Sequence, residues 1–107
     1  MPLISGQNSE VDWEAEATRL AEELVNTARH EWKHGGLAVR LDLRFPKYIR
    51  RLIKREARRS GSPRLQLQSS FQEKLQLALR KRLPEGKPEV NISKQRPFGT
   101  RLIASGL

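Results

Sequence analysis

Between Arg40 and Arg64 the sequence carries ten basic side chains and only two acidic ones, Asp42 and Glu56. Within that run Lys47, Arg51, Lys54 and Arg58 follow one another at spacings of four, three and four. On a helix, residues so spaced share one narrow sector, with Arg50 and Arg55 on its flanks. A rigid row of cations suits a polyanion, because closely spaced phosphates are neutralised together and their counterions released. Arginine supplies most of the row, and its planar fork grips phosphate through two hydrogen bonds or reads guanine edges. The chemistry expected of this stretch is nucleic-acid binding, DNA or RNA, through phosphates first. A merely solvated surface face is the plainer reading; the scarcity of interleaved acids argues against it.

Other cations extend the expected surface. In "LAVRLDLRF" (37–45) apolar and polar residues alternate. Arg40, Asp42 and Arg44 therefore stand on the face of a strand opposite Val39, Leu41, Leu43 and Phe45. Lys94, Arg96 and Arg101 lie in a basic, turn-rich segment placed to close over a bound strand. Tyr48 and Phe98, near these cations, are the aromatic candidates for stacking on an unpaired base.

Competing chemistries find little support. The chain contains no cysteine, which removes disulfides, thiolate metal sites and cysteine nucleophiles. His30 and His34 have a legal i, i+4 spacing for one metal, but no third ligand accompanies them, so no metal or cofactor is expected. No GxSxG, glycine-rich phosphate loop or paired carboxylates occur, and Asp42, Glu56 and Glu73 are the scattered acids from which a nuclease would have to be built. The expectation is a non-catalytic protein without a small-molecule substrate.

These side chains need elements to hold them. From Glu10 onward Trp13, Ala17, Leu20, Ala21, Leu24, Val25, Ala28 and Trp32 form one helical stripe, with Ser9 as the expected cap and Gly35 and Gly36 as the stop. The strand of 37–45 follows, then a helix over 46–59 opened by Pro46 at its first position and ended by "SGSP" (60–63). "RLQLQ" (64–68) alternates and is expected to be a second short strand. Ser70 and Glu73 have capping-box spacing for a third helix, striped by Phe71, Leu75, Ala78, Leu79 and Leu83 and stopped by Pro84. In the tail, the alternation of Glu89–Ser93 and the apolar "LIA" of 102–104 leave two alternatives, a hairpin or a segment ordered only on binding.

The expected fold is a small single-domain α+β protein. A long N-terminal helix is followed by strand, helix, strand, helix and a basic, partly ordered C-terminal tail or hairpin. Its divisions are a lead-in at 1–9, the domain at 10–93 and the basic tail at 94–107.

Charge divides the chain further. Its formal net charge is +9, yet residues 1–36 hold seven acids against three bases, leaving the remaining residues at +13. An acidic helix carrying Trp13, Leu20, Leu24 and Trp32 suggests an alternative role. The chain would be a small subunit or adaptor that docks a protein partner through those residues within a larger nucleoprotein complex. No apolar run nears the roughly 20 residues of a membrane span, and no signal peptide is visible, so a cytoplasmic protein without a membrane partner is expected. The order of strand, Pro-started helix and Gly/Ser turn over residues 38–62 resembles the first half of the ribbon-helix-helix repressors. That resemblance implies a homodimer whose paired strands read DNA; "RLQLQ" and the long first helix depart from the family's pattern.

Overall fold

The computed structural model describes residues 11–35, 39–97 and 99–107. Three helices, α1 (Trp13–Gly35), α2 (Lys47–Ser60) and α3 (Arg64–Arg82), pack with an antiparallel sheet of β1 (Leu41–Arg44), β2 (Glu89–Gln95) and β3 (Gly99–Ser105) in a small α+β domain. The sheet order is β1-β3-β2. The central strand thus comes from the segment expected as a tail, and of the two alternatives the hairpin is what forms. No described helix is long and apolar enough to cross a membrane.

The cap of α1 is Asp12, whose Oδ1 accepts the Ala15 N–H at 3.1 Å. Glu14 and Glu16 in the first turn favour the positive end of the helix dipole. Ser9, expected as the cap, lies outside the described residues, as do the rest of the lead-in, Gly36, Leu37 and Ala38. Ala17, Leu20, Ala21, Leu24, Val25 and Ala28 are all buried, so the stripe read from the sequence forms the floor of the core. Pro46 sits at the N-cap of α2 rather than inside it, and Gly61 ends the helix in the left-handed region at φ +80. Its N–H there returns to Ala57 O at 2.9 Å.

The expected strand at 64–68 does not exist. Those residues form the first turns of α3, which starts directly after Pro63, and Ser70 lies inside the helix instead of capping it. Five alternating residues fit a helix as well as a strand. The longer stripe decides, for Leu67 packs against the core one turn before buried Phe71, Leu75 and Leu79. Leu65, which created the alternation, is 74% exposed.

The core-facing side of the sheet carries Leu41 from β1, Val90 and Ile92 from β2, and Leu102 and Ala104 from β3. Phe45 links the sheet to the helices, meeting Phe71 edge-on at 6.0 Å, while Phe71 in turn meets Trp13 at 6.1 Å. Such edge contacts contribute about 0.5–1.5 kcal/mol each beyond area burial.

The two outer edges of the sheet are finished differently. Along β2, α3 lends a row of glutamines: Gln72 Oε1 accepts the Ile92 N–H at 2.8 Å and Gln76 Oε1 accepts the Val90 N–H at 3.0 Å. Gln68 Nε2 completes the row by donating to Ile92 O at 3.3 Å. Spaced at i, i+4 and i+8, the three share one helix face and occupy strand groups that another backbone would otherwise use.

Candidate nucleic-acid interface

Burial of Ile49 and Ile53 fixes the rotation of α2 about its axis. The opposite face is consequently forced outward. Lys47, Arg50, Arg51, Lys54, Arg55 and Arg58 are all exposed. The stripe from Lys47 to Arg58 covers about 16 Å at the helical rise. That is the length of about five phosphates along one strand of a duplex.

Arg64, the first residue of α3, joins this face. With Lys47, Arg50, Arg51 and Lys54 it lines a concave groove of about 320 Å³. The Gly61 turn brings the start of α3 back beside α2, which is how a cation outside α2 enters the site. Sequence reasoning assigned Arg64 to a strand and so omitted it from the binding set.

The local acids do not neutralise this groove. Glu56, the only acid on α2, is held by Arg59 through Nε at 3.0 Å and Nη2 at 2.6 Å. Asp42 is held by Arg101, 3.1 Å away. Both acids that stand among the ten bases are thus spent on cations outside the stripe. Among the described residues no ion pair engages Lys47, Arg50, Arg51, Lys54, Arg55 or Arg58.

The remaining candidates separate into two further places. Arg40 and Arg44 are exposed, and Arg44 stands opposite Arg101 in the β1–β3 register, on the sheet face away from the core. Lys94 and Arg96 are exposed where β2 ends, before the Arg96–Pro97 bond, which is cis. Phe98 lies outside the described residues.

Tyr48, the other stacking candidate, is 40% exposed and stands beside α1. Its hydroxyl is held above its ordinary value, first by partial burial and then by Glu16 and Glu23 of α1, with Arg19 opposing. The hydroxyl thus lies within reach of charges on α1, Arg19 among them through a hydrogen bond.

The α1 residues considered for docking face inward. Leu20 and Leu24 are 4% and 1% exposed, Trp13 rests on Phe71, and Trp32 Nε1 donates to Leu107 O at 3.0 Å. Of the acids of α1, Glu22 pairs with Arg82 of α3 and Glu16 with Arg19 of α1 itself. Glu73 is exposed on α3, apart from Asp42 and Glu56, and among the described residues no three His, Cys, Asp or Glu side chains gather as a metal site. His30 is exposed on α1; the side chain of His34 lies outside the described residues.

Comparison with protein-family models, with curated proteins and with solved structures finds no match to this chain.

Proposed function

We propose that this protein binds nucleic acid without catalysing a reaction, seating phosphates against the cationic face of α2 and the groove that Arg64 completes. One observation carries the reading: six exposed cations on one rigid helix face while the nearby acids are occupied by Arg59 and Arg101. Helical positions hold the backbone of these residues at fixed intervals, so meeting a phosphate backbone orders their side chains but no further main chain. Arg40, Arg44, Lys94, Arg96 and Arg101 extend the positive field around this centre and steer association.

The test is binding of fluorescent duplex DNA, single-stranded DNA and structured RNA across a salt series. If the six α2 cations each meet a phosphate, log K falls against log salt with a slope of about −5 for a duplex and about −4 for a single strand. Failure to bind any of the three at low salt refutes the proposal.

A further inference from the structure

Glutamines occupy the β2 edge of the sheet, while the other edge, formed by β1, has no such cover among the described residues. Phe45 N–H bonds to Thr100 O at 3.0 Å, and Val39 exchanges bonds with Leu107 at 3.1 and 3.2 Å. In an antiparallel ladder alternate residues point their backbone groups to opposite edges. Residues 39, 41, 43 and 45 are therefore directed at β3, and Arg40, Asp42 and Arg44 turn their N–H and C=O groups outward. The Asp42 carbonyl is touched by Arg101 Nη2 at a long 3.4 Å. No described backbone group pairs with this edge.

We infer that β1 pairs antiparallel with β1 of a second copy of this chain, joining two sheets edge to edge about a twofold axis through Leu43. Three features select this partner and this register. Residues that exchange backbone bonds across such an axis must both face the edge, which allows Asp42 opposite Arg44, Arg40 or Asp42 of the second copy. The last sets like charges against each other, whereas either arginine sets a carboxylate against a guanidinium twice, once on each side of the axis; Arg40 would place buried Leu41 at the axis, and Arg44 places the half-exposed Leu43 there.

Within its own sheet Arg44 has no acidic partner among the described residues, since Asp42 is paired with Arg101. Arg44 stands directly opposite Arg101 in register, a like-charge neighbour, and the second copy's Asp42 would supply the missing anion beside it. Leu43 is the third feature. It lies on the core-facing side between buried Leu41 and Phe45 yet is 39% exposed. At the axis it meets its own equivalent in the close, non-hydrogen-bonded position, where side chains approach most nearly. Charge, backbone and apolar surface agree on one occupant. The inference is independent of nucleic-acid binding by α2.

Light scattering and sedimentation of the whole chain, from micromolar to near-millimolar concentration, test it. The expected result is a concentration-dependent rise from the 12.3 kDa monomer to twice that mass. Asp42→Arg alone, or Arg44→Asp alone, places like charges across the axis and abolishes the rise. Arg44→Asp is the sharper variant, since it puts an anion beside Arg101 and so leaves the monomer's fold intact. An equimolar mixture of the two variants restores association, because each position then meets its opposite, and the double swap restores it within one chain. A wild-type chain that stays monomeric over the whole range overturns the inference. So does an Arg44→Asp chain that associates as the wild type does, or a mixture that does not associate.

Discussion

Neutralising Arg51, Lys54 and Arg58 together with glutamine separates a binding face from a solvated one. The three lie on the exposed stripe of α2 with no ion pair among the described residues, so their loss breaks no contact of the fold. They do repel neighbours: Arg51 stands one turn from Lys47 and Arg55, and Lys54 one turn from Arg50 and Arg58. Like-charge i, i+4 pairs cost about 0.2–0.5 kcal/mol each, so removing these gives back about 1 kcal/mol at low salt. Glutamine has nearly the same helix propensity as the residues it replaces, so little of that gain is lost. For a domain of this size the thermal midpoint should rise by about 4–8 °C. Binding should move the other way. With six phosphate contacts the wild-type affinity for duplex falls about 2,000-fold between 50 and 200 mM salt; with three contacts the fall is about 40-fold. Fluorescence anisotropy over that range, beside a thermal melt of each protein, reads both quantities. A more stable variant with a flatter salt dependence is the signature of charges retained for a ligand. An unchanged salt slope would refute the phosphate-contact reasoning, and a drop in stability would refute the claim that the stripe is unpaired.

Four further outcomes follow from particular contacts. Tyr48 is the single tyrosine, so its phenol can be titrated by absorbance at alkaline pH. Because burial and the α1 carboxylates hold it above the ordinary value of about 10, the folded state prefers the protonated form; stability is intact below that pH and falls as pH rises past it, and Tyr48→Phe should flatten this decline. Gln72→Ala leaves the Ile92 N–H without its acceptor, with an expected cost of about 1–2 kcal/mol in urea titration and faster exchange of that amide. Gly106→Ala should be worse tolerated than Gly61→Ala in thermal melts. Both positions have positive φ, but a methyl group at 106 would press on the Lys87 carbonyl, while nothing lies within 4 Å at 61. Arg64→Gln should weaken nucleic-acid binding with a slope change of about 0.9 for duplex DNA, measured by the same anisotropy titration.

Long-period patterns were legible in the sequence. The α1 stripe and the two faces of α2 repeat over three or more turns, and packing only has to follow them. Short patterns were not: "RLQLQ" holds too few residues to tell a period of two from one of 3.6, and the stripe that settles it, Leu67 to Leu79, becomes visible only when Leu65 is discounted. The central position of β3 was hidden for another reason. "TRLIAS" pairs on one side with its hairpin neighbour β2, but on the other with β1, far back in the chain, and that long-range partner leaves no local trace. At the candidate site the row of cations was readable, but two facts that shape it were not. Arg64 joins the groove through a chain reversal, and Glu56 and Asp42 are withdrawn by Arg59 and Arg101, choices made in three dimensions.

The glutamine row on β2 bears on how this sheet meets other sheets in a crowded solution. Open-ended strand polymers need two reactive sides on every unit, one to be added to and one to add. With the amides of Gln68, Gln72 and Gln76 standing where a backbone would dock, the folded unit keeps a valence of one. Whatever strand pairs with β1 ends the series at that addition, and a fibre cannot grow through the sheet while α3 stays folded beside it.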